Sequence, residues 1–174
     1  PVCVTPVSFI DEAIYLALEK GVTICTFGDL VRVPGTKMSL AGAREQGADI
    51  HVVYSPADAE KYAGEHPDKQ VTFLSVGFET TTPASCLSVK AAKENGLDNY
   101  SILTANKTMP QAYEALKGSA DVFLYPGHVN AITGTRLCEA LAEQGVSGVV
   151  AGFTAKELMT ALAVVLVKFK EGKP

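Results

Sequence analysis

Gln70-Val71-Thr72-Phe73-Leu74-Ser75-Val76-Gly77-Phe78-Glu79-Thr80-Thr81-Thr82-Pro83 passes from a β-branched and aromatic run, through a Gly turn, into a Thr-Pro helix start. The run is apolar on both faces and does not alternate, as expected for a strand covered by helices on each side. Five similar runs occur at residues 22–27, 49–54, 99–104, 121–125 and 146–151. Successive runs begin about 21 to 29 residues apart, the length of a strand, a crossover helix and two short loops. Repeated βα units imply a parallel sheet with right-handed crossovers. The fold class read from the sequence is therefore α/β, a Rossmann-like three-layer domain with a mainly parallel sheet flanked by helices.

The intervening stretches carry helix punctuation. Ser55-Pro56-Ala57-Asp58 offers a hydroxyl cap, Pro at the first helical position and an acid in the first turn. Thr82-Pro83 repeats that arrangement, Thr154-Ala155-Lys156-Glu157 reads as a capping box, and Ser8-Phe9-Ile10-Asp11 opens the first helix in a similar way. Gly21, Gly47, Gly96, Gly118 and Gly145 each follow a helical stretch, where a left-handed residue is expected.

The 174 residues suit one domain. No Ser/Gly-rich or Pro-rich linker divides them, so residues 1–174 read as one α/β domain, with 146–174 assigned either to it or to a neighbouring one. The chain opens at Pro1 inside an apparent loop, the expectation for a piece of a longer protein. The most apolar stretch, residues 158–169, is too short to span a bilayer. Fifteen basic against 19 acidic residues give a net charge of -4, and no basic stripe suggests a nucleic-acid partner. Cys3, Cys25, Cys86 and Cys138 lie far apart, neither a disulfide framework nor a complete zinc site. No signal-peptide pattern precedes them in these residues, and the expected compartment is the cytoplasm.

In parallel sheets ligands bind at the carboxyl ends of strands, so the loops there are the candidate ligand-binding segments. Thr26-Phe27-Gly28-Asp29 with Arg32-Val33-Pro34-Gly35 follows the first run. Gly77-Phe78-Glu79-Thr80-Thr81 follows the third, and Pro126-Gly127-His128-Val129 the fifth. Each loop joins Gly to a charged or imidazole side chain. Singly, Asp29 reads as a cap, Arg32 as an ion-pair partner, Glu79 as an acceptor for loop amides and His128 as a satisfied loop histidine. Jointly, these groups with Gly77, Thr80, Thr81 and Gly127 point to one shared site. Asn106-Lys107-Thr108 offers a further polar contact. His51 and His66 read as structural, and Cys25, Cys86 and Cys138 as small buried hydrophobes. Cys3 lies before the first helix, where a thiol pKa is lowered. It reads either as a nucleophilic or metal-binding thiolate or as an inert loop cysteine.

Val76-Gly77-Phe78-Glu79-Thr80 and Ala151-Gly152-Phe153-Thr154 echo one another, either as a repeat or because βα turns favour Gly. No Gly-x-Gly-x-x-Gly, P-loop or Gly-x-Ser-x-Gly elbow is present. A Cys3–His128–Glu79 triad can be written, but triads are recognised by geometry.

Together with Pro1-Val2-Cys3-Val4-Thr5-Pro6, the three loops resemble the HypD family of nickel–iron hydrogenase maturation proteins. The motifs occur in the family's order across nearly the whole chain. The resemblance implies a metal-centre assembly scaffold with redox-active thiols, more than an enzyme that turns over metabolites. With HypC-like and HypE-like partners it would install cyanide and carbon monoxide on an iron atom, which passes to the hydrogenase large subunit. It also implies a 4Fe–4S cluster in the longer parent. Cys3 matches the second cysteine of the family's Cys-Pro-Val-Cys motif, so the resemblance makes it a redox or iron-associated thiol. The first cysteine of that pair, an upstream Cys-Gly-Gly-His segment and the cluster cysteines fall outside these residues, which implies a central piece of HypD. Gly152-Phe153-Thr154 stands where Gly-Phe-Glu is expected, and Tyr125 where cysteine is common. The other readings are a small-molecule-binding α/β module or transferase-like enzyme using the same loops, and a Cys–His hydrolase.

Overall fold

The computed structural model describes residue 2 and residues 5–172. All six β-branched runs form strands. The chain folds as two compact units, the first reaching Gly77 and resuming over Thr81–Asn106, the second built from Phe78–Thr80 and the residues from Lys107 onward.

In the first unit, α1 (Val7–Lys20) leads into β1 (Thr23–Thr26), followed by α2 (Leu40–Glu45) and β2 (Ile50–Val52). Then come α3 (Pro56–Glu65), β3 (Val71–Ser75), α4 (Thr82–Glu94) and β4 (Tyr100–Thr104). The strands make one parallel sheet in the order β2-β1-β3-β4, with Ile24 opposite Ile50 on one side and Thr72 on the other. Successive strand side chains point to opposite faces. Ile24 and Leu74 therefore join Ile10, Ala13 and Ala17 of α1 and Leu40 and Ala43 of α2 in one core cluster. Cys25, Val71 and Phe73 join Ala59 and Ala63 of α3 on the opposite face, and α4 lies beside α3. This is the expected three-layer α/β architecture. Full burial of a side chain such as Phe73 or Ile24 stabilises by roughly 1.5–3 kcal/mol.

β1 and β3 are buried at every position, as their composition predicts, because both lie inside the sheet. β4 is apolar in sequence yet partly exposed, because it is the last strand of the order.

The second unit contains α5 (Met109–Ala115), β5 (Phe123–Pro126), α6 (Gly127–Thr133), α7 (Arg136–Glu143), β6 (Gly148–Ala151) and α8 (Ala155–Lys170). β5 and β6 pair in parallel with Tyr125 opposite Val150. Tyr113, Tyr125, Leu141 and Val146 form the core. No helix among the described residues is long and apolar enough to cross a membrane.

Most of the punctuation behaves as expected. The Ser55 hydroxyl accepts the Asp58 amide at 3.2 Å. Thr154 and Glu157 form the reciprocal capping box, and all five expected glycines have positive φ. Two helix starts differ. α1 begins at Val7 after Pro6, which supplies no side-chain cap. Its Asp11 instead accepts the Thr36 amide at 2.7 Å and the Thr36 hydroxyl at 2.6 Å. α4 begins at Thr82, so the cap position falls on Thr81, whose side chain makes no capping bond, and the Thr82 hydroxyl instead accepts from the Asn106 side-chain amide at 3.0 Å. The expectation of a buried Cys86 is also corrected. It lies on the outer side of α4 and is exposed, whereas Cys25 is buried and Cys138 half-buried. Helical spacing placed Ser85 and Ser88 inward, leaving Cys86 outside.

Candidate functional site

The first unit's topology selects one place for a ligand. The chain runs from β1 outward to β2, then returns across β1 to reach β3. The crossovers therefore reverse between β1 and β3, and their carboxyl ends flank the crevice where doubly wound sheets bind ligands. The loops bearing Gly28, Asp29 and Arg32, and Gly77 and Thr81, leave the sheet at this edge.

The loop after β1 is fixed from within. Gly28–Leu30 forms a 3₁₀ turn whose Leu30 is buried in the core. The Val31 carbonyl accepts the Ala41 amide, and the Gly35 amide donates to the Met38 carbonyl. The Asp11–Thr36 clamp ties the far side of the loop to α1. The Thr36 hydroxyl, aided by its amide, holds the Asp11 carboxyl below its ordinary range. Asp29 and Arg32 stay exposed, and neither side chain makes a hydrogen bond or ion pair among the described residues. Asp11 and Thr36 support the site without having been singled out in the sequence. Their signal was a hydroxyl after Pro-Gly and an acid one helical turn into α1.

Gly77 is required by its neighbour. A Cβ there would overlap the side chain of Thr81, which folds back over the turn. Behind it the Ser75 hydroxyl contacts the buried Ser85 hydroxyl at 2.7 Å and donates to Asn106 Oδ1 at 3.3 Å. Asn106 donates in turn to Thr82. These bonds tie the ends of β3, α4 and β4 together beneath the loop, so Asn106 does make the polar contact its position offers.

The second unit holds Glu79, Thr80, Gly127 and His128. The Glu79 Oε1 accepts the Met109 amide at 2.8 Å. Its Oε2 and the Tyr113 hydroxyl are buried without hydrogen-bond partners among the described residues. Burial raises the Tyr113 phenol pKa, and the nearby charges of Cys138, Tyr125 and Glu79 add to the effect. The Tyr125 hydroxyl donates to the Val146 carbonyl at 3.0 Å, and Asn130 donates to Cys138 Sγ at 2.9 Å.

A Cβ on Gly127 would approach the Ala151 carbonyl oxygen to 2.8 Å, so Gly lets the start of α6 close against the end of β6. That closure places the exposed His128 ring 4.9 Å from Phe153. In the sequence Phe153 echoes Phe78, and only the fold makes it a partner of His128. Thr80 is exposed.

Cys3 lies outside the described residues. Among the described residues no group of three or more His, Cys, Asp or Glu side chains is arranged to hold a metal ion, so they do not fit a 4Fe–4S cluster. Neither Glu79 oxygen bonds to His128, which removes the orienting contact a Cys–His–acid triad needs. Burial, and then the charge of Asp49, pushes the Cys25 thiol up to about 12, so it is no thiolate at neutral pH.

Comparison with known proteins adds the family. The HypD family model, described as "Hydrogenase formation hypA family", matches residues 1–174. The hydrogenase maturation factor HypD of Rhodobacter capsulatus is 41% identical over 178 residues, covering 99% of this chain and 47% of that protein. That of Cupriavidus necator is 40% identical over 185 residues, covering 99% and 49%. That of Escherichia coli is 39% identical over 171 residues, covering 95% and 46%. The chain spans about half the length of these relatives. Matched by that family model along all its residues and built on a parallel α/β frame, the chain belongs to the HypD family of hydrogenase maturation proteins.

Proposed function

We propose that the chain acts, within a full-length HypD protein of the cytoplasm, as part of a scaffold for the metal centre of nickel–iron hydrogenase. With HypC-like and HypE-like partners it helps assemble the iron–dicyanide–carbonyl group, which then passes to the hydrogenase large subunit. The observation that carries the reading is the family match along all 174 residues. The geometry supports it by leaving Asp29 and Arg32 exposed at a strand end, with no side-chain hydrogen bond or ion pair among the described residues, and His128 exposed at another.

Iron is cargo in this reading, and the chain's residues receive it. The Arg32 guanidinium stays charged and donates several hydrogen bonds, which suits an anionic cyanide ligand. Asp29, three residues before it in the same loop, supplies an acceptor for a partner or donor. The His128 ring offers a nitrogen donor and a nitrogen acceptor, and it rests on Phe153. Glu79 and the Gly77–Thr81 turn hold the intervening loop. Cys3 is the redox or iron-associated thiol. The parent's 4Fe–4S cluster is assigned to cysteines beyond these residues, and no step here runs through it.

The test uses the full-length protein. Arg32→Ala and His128→Ala should each lower the yield of mature hydrogenase about tenfold or more, matching a lost charged hydrogen bond of about 1.5–3 kcal/mol. Both side chains are exposed, so the unfolding midpoint should stay unchanged. Full maturation with either variant would remove that residue from the site.

A further inference from the structure

α8 carries an apolar face that nothing among the described residues covers. Met159, Leu162, Leu166 and Phe169 recur three, four and three residues apart, the spacing of a helix–helix seam. They are 66%, 44%, 70% and 67% exposed. α1 and α4 expose two large apolar side chains each. The side of α8 turned toward β6 is different, since Ala161 and Val164 line a groove of about 540 Å³ together with residues 149–152. Among the described residues β6 pairs with β5 alone, so its other edge carries no strand.

We propose that this edge and seam seat a further β–α unit from the part of the HypD chain outside these residues. Its strand pairs in parallel with β6, and its apolar helix lies along Met159, Leu162, Leu166 and Phe169. Three observations choose this occupant. The relatives are about twice as long as this chain, so more than half of the family's sequence is available to supply it. The first unit displays the strand part of the arrangement, because α4 follows β3 and leads to β4 on the free edge of β3, and it shows that such a helix takes a second helix, α3, along its side. β6 and α8 repeat the β3–α4 step, down to Gly152-Phe153 after β6 matching Gly77-Phe78 after β3. A strand after α8, joined by a right-handed crossover, reaches the edge of β6 that is open. The proposal rests on family membership alone, so loss of the iron-assembly reading would leave it standing.

The test compares the 174-residue chain with the full-length protein that contains it. Leu166→Cys and Phe169→Cys are labelled with a maleimide and read peptide by peptide, with Tyr54→Cys, at a 93% exposed position, as the control. Labelling at 166 and 169 should slow about tenfold or more in the full-length protein, because a buried site reacts only through local opening. The control should react equally in both. Backbone exchange of residues 148–151 and 155–170 in the unsubstituted proteins should follow the same pattern, which guards against a variant that misfolds. Equal, rapid reaction in both proteins would overturn the proposal. Protection in the short chain that grows with its concentration would overturn it in favour of a second copy. Protection only on vesicles of phosphatidylcholine and phosphatidylglycerol would overturn it in favour of a membrane surface.

Discussion

Thr81 occupies the space that any side chain at position 77 would need. Gly77→Ala must therefore move Thr81 or the turn, and overpacking of this kind costs about 1–3 kcal/mol. Urea unfolding should show that loss, and Gly77→Ala/Thr81→Gly should recover part of it. An unchanged midpoint for the single variant would show that the turn yields freely. Close backbone approach at this loop was legible in the sequence, because Gly follows a buried strand. The identity of the approaching group was not, since three consecutive threonines offer the same chemistry and only the turn geometry selects Thr81. Glu79 shows the same limit. Its need for an amide was readable, but the donor is Met109, thirty residues later in the chain and brought close only by the fold.

Between elements, the edge of the first sheet opposite the candidate site is held by one carboxylate. Asp49, just before β2, accepts from Lys69 before β3 at 2.9 Å and from Thr23 at the start of β1 at 2.7 Å. It also contacts His51 at 2.8 Å. Burial alone would raise the Asp49 pKa. The hydrogen bonds of Lys69, Thr23 and His51 outweigh it and lower the carboxyl from 3.8 to about 2. The same contact with Asp49, helped by Tyr62, raises Lys69. Because the folded carboxyl is the stronger acid, its contribution is present above about pH 4 and is lost as pH falls toward about 2. Asp49 is 41% exposed at its side chain, so solvent screening keeps that contribution below about 1 kcal/mol. The urea midpoint of Asp49→Asn should vary less than that of the parent between pH 4 and pH 2. Identical acid limbs would refute the clamp. His51 and His66 read as structural in the sequence, and here His51 bonds to Asp49 while His66 stacks on Tyr62 at 4.0 Å. The strands themselves were legible because β-branched runs bounded by Gly and capping residues encode them locally. Their partners were not, because apolar runs pair with any neighbour and sheet order is settled by which faces the helices cover.

At the scale of the whole molecule, two units each end parallel strands in Gly-bearing loops that carry the candidate site residues. The first presents Asp29 and Arg32 beside a topological switch, and the second presents His128 against Phe153. The loops could be found from sequence because ligand groups collect at the carboxyl ends of parallel strands. The division into two sheets could not, since the connection from β4 to β5, like that from β2 to β3, is 18 residues long and nothing in its length marks a boundary. The most direct measurement is infrared spectroscopy on the full-length protein purified without oxygen together with its HypC-like partner. The account predicts co-purified iron with cyanide and carbon monoxide stretching bands, both weakened by Arg32→Ala and by His128→Ala. A metal-free complex with no such bands, binding a metabolite through the same loops, would contradict it.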